Sequence, residues 1–156
     1  MIGKIAIILA VIVVYASIAS YINWQVDMEY QRNVGTFFTY ADRASDAKTK
    51  ASYFNQYMTA LEKYDLTEGC SSVLYCEQPN AQVKDNYKAA KSLQTRLNEL
   101  AKLDEKETAY QLGMQQMTEN EFCWFPVEPF NQKYLKDHGA WGAAVFPNGA
   151  YNSCAD

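Results

Sequence analysis

The sequence predicts an all-α protein: an N-terminal transmembrane helix continuing into a long antiparallel, coiled-coil-like helical hairpin, then an irregular, disulfide-closed aromatic segment. Three patterns predict it. The chain opens with an apolar run that holds no charge between Lys4 and Asp27. Two long stretches then repeat apolar residues at helical spacing. After Phe122, Pro126 and Pro129 and a crowd of aromatic rings end that regularity. The boundaries drawn from these patterns are 1–26 for a membrane anchor, 27–121 for the hairpin with a tip loop over 66–81, and 122–156 for the aromatic segment.

The apolar run, Ile5 to Trp24, is about one bilayer crossing in length. A cleaved signal peptide is one reading, with Ser17-Ile18-Ala19 as an acceptable cut site. An uncleaved anchor is the reading preferred here. The run continues through Tyr21, Ile22 and Trp24 with no Gly or Pro to stop it, and Tyr21 and Trp24 suit the membrane interface. Lys4 precedes the run and Asp27 and Glu29 follow it, so the positive-inside tendency places the N-terminus in the cytoplasm. The rest of the chain is then expected in the periplasm or outside the cell, with membrane lipid as the partner of residues 5–26.

Beyond the anchor, Val34, Phe37, Ala41, Ala44, Ala47, Ala51, Phe54, Met58 and Leu61 recur in steps of three and four, one stripe of an amphipathic helix. Gly35 is the sole glycine between Lys4 and Gly69, and the first proline is Pro79. The anchor is therefore expected to run on as a continuous rod to about Tyr64. A second stripe runs from Val83 through Tyr87, Ala90, Leu93, Leu97, Leu100, Leu103, Tyr110 and Met114 to Met117, with Asn80 as its expected N-cap. Each arm, Tyr30–Asp65 and Ala81–Thr118, would be roughly 55 Å long at the helical rise. Between them lies Cys70-Ser71-Ser72-Val73-Leu74-Tyr75-Cys76, expected as the tip farthest from the membrane, with Ser71 to Tyr75 as a presenting surface.

Four cysteines, Cys70, Cys76, Cys123 and Cys154, allow three pairings outside the cytoplasm. Cys70 with Cys76 and Cys123 with Cys154 keeps both bridges local. Cys-x5-Cys is a poor zinc spacing and His138 stands alone, so no metal and no cofactor are expected. The C-terminal segment should hold one short helix, Pro129 to Asp137, ended by Gly139. Its rings are expected to return toward the membrane end.

The composition gives little room for chemistry. With 14 Lys and Arg against 18 Asp and Glu the formal net charge is −4, which opposes nucleic-acid binding. Asp104, Glu105, Glu119 and Glu121 read as solvated helix surface, and Met28, Met58, Met114 and Met117 as packing residues. No Ser-His-Asp or Cys-His order and no phosphate-binding glycine loop occurs, so no enzyme is expected. An exported redox protein using Cys70 and Cys76 is the enzymatic rival.

The cysteine run, preceded by a helix containing Tyr53-Phe54-Asn55-Gln56-Tyr57-Met58 and followed by another helix, resembles the disulfide-closed turn of the periplasmic lysis-inhibition antiholins of T4-like phages. That resemblance covers about a quarter of the chain and implies a lysis regulator in the periplasm. The anchor-plus-coiled-coil layout is also similar to the inner-membrane spanins of phages, as architecture alone.

The leading expectation is a non-catalytic accessory or scaffolding subunit of a membrane or envelope assembly, with self-association as a further contact. The contact residues expected are Trp24, Tyr30, Phe37 and Phe38 near the membrane, and Trp124, Phe125, Phe130, Trp141 and Phe146 in the C-terminal segment. A pilin-like filament subunit with an apolar helical core is the structural alternative.

Overall fold

The structure is a computed structural model that describes residues 2–72, 76, 82–122 and 125–140. Cys123, Trp124, Trp141, Phe146 and Cys154 lie outside the described residues, as does the expected N-cap Asn80. All regular elements among the described residues are helical, with one isolated antiparallel bridge between Cys70 and Gln82.

Helix α1, Ile2–Tyr30, passes through a π-helical turn, Gln31–Gly35, into α2, Thr36–Arg43. This stretch contains the one helix among the described residues that is long and apolar enough to cross a membrane, with a mean hydropathy of 2.6 in its most apolar window. None of the other described residues covers that window. Within the run, Ser17 Oγ donates to Val13 O at 2.8 Å, which satisfies a polar group inside the helix itself.

The expected continuous rod does not form. The chain leaves helical geometry at Ala44 (φ −68°, ψ 132°) and restarts at Asp46, whose carboxylate accepts the Thr49 N–H at 2.8 Å as an N-cap. Helix α3, Ala47–Lys63, therefore runs back along α2. The Lys50 ammonium holds the reversal by donating to Ala41 O and Asp42 O, both at 2.8 Å, at the C-terminal end of α2. Ala41 O otherwise accepts only the long bond from Ala44 N at 3.3 Å at this helix end, so a cation there adds hydrogen bonds to the last carbonyls and complements the helix dipole. Lys50 is fully buried, and its ammonium lies 4.2 Å from the centre of the Phe122 ring.

Helix α3 ends in a Schellman motif: Leu66 N donates to Leu61 O and Asp65 N to Glu62 O, with Asp65 in the left-handed region. Gly69, at φ +91°, then admits the turn into the Cys70–Cys76 disulfide, whose Cα atoms are 5.5 Å apart. Helix α4, Val83–Leu100, returns along α3. Tyr87 Oη donates to Glu62 at 2.5 Å, and Asn55 exchanges amide hydrogen bonds with Asn98 while accepting one from Gln94.

The second stripe is interrupted as well. Residues 101–107 form turns, because Asp104 accepts the Lys106 N–H on its side chain and the Glu107 N–H on its carbonyl. Helix α5, Thr108–Gln116, and a π-helical turn, Met117–Phe122, follow. Helix α6, Glu128–Asp137, packs on the end of α1, with Asn131 reaching Asp27 and the Tyr134 ring tilted against Tyr30 at a centroid distance of 5.4 Å. It ends at Gly139 (φ +84°), as the sequence predicts.

Phe38 joins these layers. Its ring contacts Phe54, Tyr57, Phe122 and Phe125 at centroid distances of 5.1–6.3 Å. Each such pair adds about 0.5–1.5 kcal/mol beyond area burial.

Lys50→Met keeps the stem's bulk but removes the side-chain donor shared by the Ala41 and Asp42 carbonyls. It should cost about 2 kcal/mol or more in chemical denaturation, against about 1 kcal/mol for loss of the exposed cap in Asp46→Ala. Equal, small losses from both would contradict the assigned role of the buried ammonium.

Candidate functional site

The reversal at Ala44 relocates the cysteine loop. Lys136 of α6 donates to Cys70 O, and the Lys133 side chain passes over Gly69. Since α6 lies on the last turns of α1, the disulfide sits beside the end of the apolar run and not about 55 Å beyond it. Ser71 and Ser72 are buried rather than presented, while Val73 to Tyr75 lie outside the described residues.

Most of the expected contact rings face inward. Tyr30, Phe125 and Phe130 are buried, and Phe37 and Phe38 are half-buried against the same core. These rings pack within or against the chain's own core. Trp24 remains exposed. Met58, Met114 and Met117 pack in or against the core, whereas Met28 is exposed. Asp104, Glu105 and Glu119 are solvated, but Glu121 is half-buried and paired with Arg96 at 2.5 Å. His138 stacks on Tyr134 with ring centres 4.0 Å apart.

Beside α6 the folded chain encloses a groove of about 650 Å³. Helix α1 supplies Trp24, Asp27 and Tyr30; α2 supplies Phe38, α3 Tyr57, and α6 Glu128, Asn131 and Gln132. Asn131 Nδ2 donates to Asp27 at 3.3 Å and Gln132 Nε2 to Glu128 at 3.1 Å, so each carboxylate is oriented by one amide. Burial, with Asp27 nearby, holds the Glu128 carboxyl above its ordinary range. The hydroxyls of Tyr30 and Tyr57 face each other, yet neither closes a hydrogen bond of normal length, and Asn131 Oδ1 is likewise unpartnered. Sequence reasoning missed this groove. The available signal was Glu128 and Asn131 one helical turn apart at the start of α6, but nothing in the spacing reveals that Asp27 lies opposite.

Among the described residues no group of three or more His, Cys, Asp and Glu side chains comes together as a metal site. The chain matches no protein-family model, no curated protein and no solved structure.

Burial raises the pKa of three tyrosines, opposing their ionisation. Tyr57 is pushed well above its usual range, with Tyr30 adding to the effect; Tyr30 is also raised, and Tyr134, near Glu29, is pushed up to about 12. The fold keeps these protons while the unfolded chain releases them near pH 10. Stability should therefore fall as pH rises past about 10. In a spectrophotometric titration a late tyrosine class should ionise together with the loss of helical signal; titration of all 12 tyrosines in one step with helix intact would contradict this.

Proposed function

We propose that the chain is a non-catalytic accessory or scaffolding subunit of a membrane or envelope assembly, anchored by a single span with its helical domain in the periplasm or outside the cell. One contrast carries the reading. The apolar run of α1, from Ile5 to Ile22, carries no charge and is left uncovered by the rest of the described chain, whereas the helices after it bury their aromatic faces in one another. A helix of the first kind partitions into lipid or packs against other apolar helices. The covalently attached domain is then held near that surface, with α6 and the disulfide beside the end of the apolar run. Exposed apolar side chains beyond the span, Tyr40 and Leu112, are available for protein contact. A phage-type lysis regulator in the periplasm is the second reading, favoured by the Cys70–Cys76 bridge in the connection between α3 and α4.

Alkaline carbonate extraction combined with photo-crosslinkers at Trp24, Tyr40 and Leu112 tests the leading reading. The chain should stay with the membrane pellet and crosslink from Tyr40 or Leu112 to one recurring protein or to a second copy. Release by carbonate, or a monomer that gives no protein adduct from any of the three positions, would overturn it.

A further inference from the structure

We propose that the groove between α1 and α6 binds a primary or quaternary ammonium group. Two carboxylates, Asp27 and Glu128, line it, and among the described residues no Lys, Arg or His does. Its walls include the rings of Trp24, Tyr30, Phe38 and Tyr57. The hydroxyls of Tyr30 and Tyr57 belong to side chains at least nine-tenths buried, and they and Asn131 Oδ1 lack a hydrogen-bond partner. Native proteins rarely leave buried polar atoms unpartnered, so three of them around one cavity mark a place for a ligand.

The chemistry of the lining selects the ligand. An anion would meet two carboxylates with no compensating cation. A metal ion needs more ligating side chains than the groove brings together and gains little from ring walls. An ammonium group satisfies both kinds of wall, pairing with carboxylates on one side and lying over ring faces on the other. The same group is carried by free amines and by zwitterionic lipid headgroups. The proposal goes beyond the accessory role and does not depend on it.

The test uses the full chain in a maltoside detergent, titrated calorimetrically with ethanolamine chloride and choline chloride against sodium chloride. A parallel arm compares thermal unfolding in nanodiscs of phosphatidylglycerol with and without phosphatidylethanolamine. Saturable binding of an amine, or stabilisation by phosphatidylethanolamine, is the expected result; the first identifies a soluble source and the second a lipid source. Glu128→Gln, which keeps an oxygen and an amide beside Gln132, should weaken the response by about tenfold or more. Tyr57→Phe removes a hydroxyl whose polar neighbour is Tyr30 Oη, should still fold, and should weaken binding of ethanolamine, whose N–H groups can donate to it. No response above sodium chloride and phosphatidylglycerol, or an undiminished response in a folded Tyr57→Phe and Glu128→Gln pair, would overturn the proposal.

Discussion

The two hydrogen bonds from the buried Lys50 ammonium to Ala41 O and Asp42 O are the interaction on which the rest of the structure depends. A helix reaching from the apolar run to Arg43 would continue outward if residues 44–46 were helical. Asp46 caps the next helix and Lys50 closes the previous one, so the chain folds back on itself in a few residues. Burying the ammonium is costly, and burial does lower its ionisation. The cost is offset by two charge-assisted hydrogen bonds and by the Phe122 ring.

Everything that follows is a consequence of that reversal. Because α3 lies against α2, Phe54 and Tyr57 meet Phe38 instead of facing outward. Phe122 and Phe125 then close the same cluster from the far end of the sequence. The Ala47 N–H, exposed by the break, is taken by Tyr110 Oη at 3.0 Å, which ties α5 to the turn. With α3 directed back toward Tyr30, the disulfide loop and α6 arrive at the end of α1, and the groove forms between elements about a hundred residues apart in sequence.

The helical class, the apolar run, the Cys70–Cys76 bridge and the short helix ended by Gly139 were legible in the sequence. Each depends on local signals: uninterrupted hydropathy, cysteine spacing, or Pro and Gly at helix ends. The reversal was not, because Ala44-Ser45-Asp46 contains no Gly or Pro and the apolar stripe runs through it unbroken. Asp46 as an N-cap was the one available clue. Phe37 and Phe38 were read as contact residues because a straight hairpin leaves them at its surface, whereas the folded-back helices among the described residues bring them against the core. Lys50 stood among polar residues, and only the close approach of α2 makes a buried ammonium there intelligible.

The account's central claim is therefore geometric: α3 returns to the end of α1. Its most direct test is the distance between spin labels carried on noncanonical residues at Glu29 and Lys63, both exposed. In the folded-back chain Tyr134 lies near Glu29 and meets Tyr64 edge to face at a centroid distance of 5.4 Å. The labels should then lie roughly 20 Å apart or less, within two helix diameters. A distance near 50 Å, as a continuous helix through residues 29–63 would give, would contradict it.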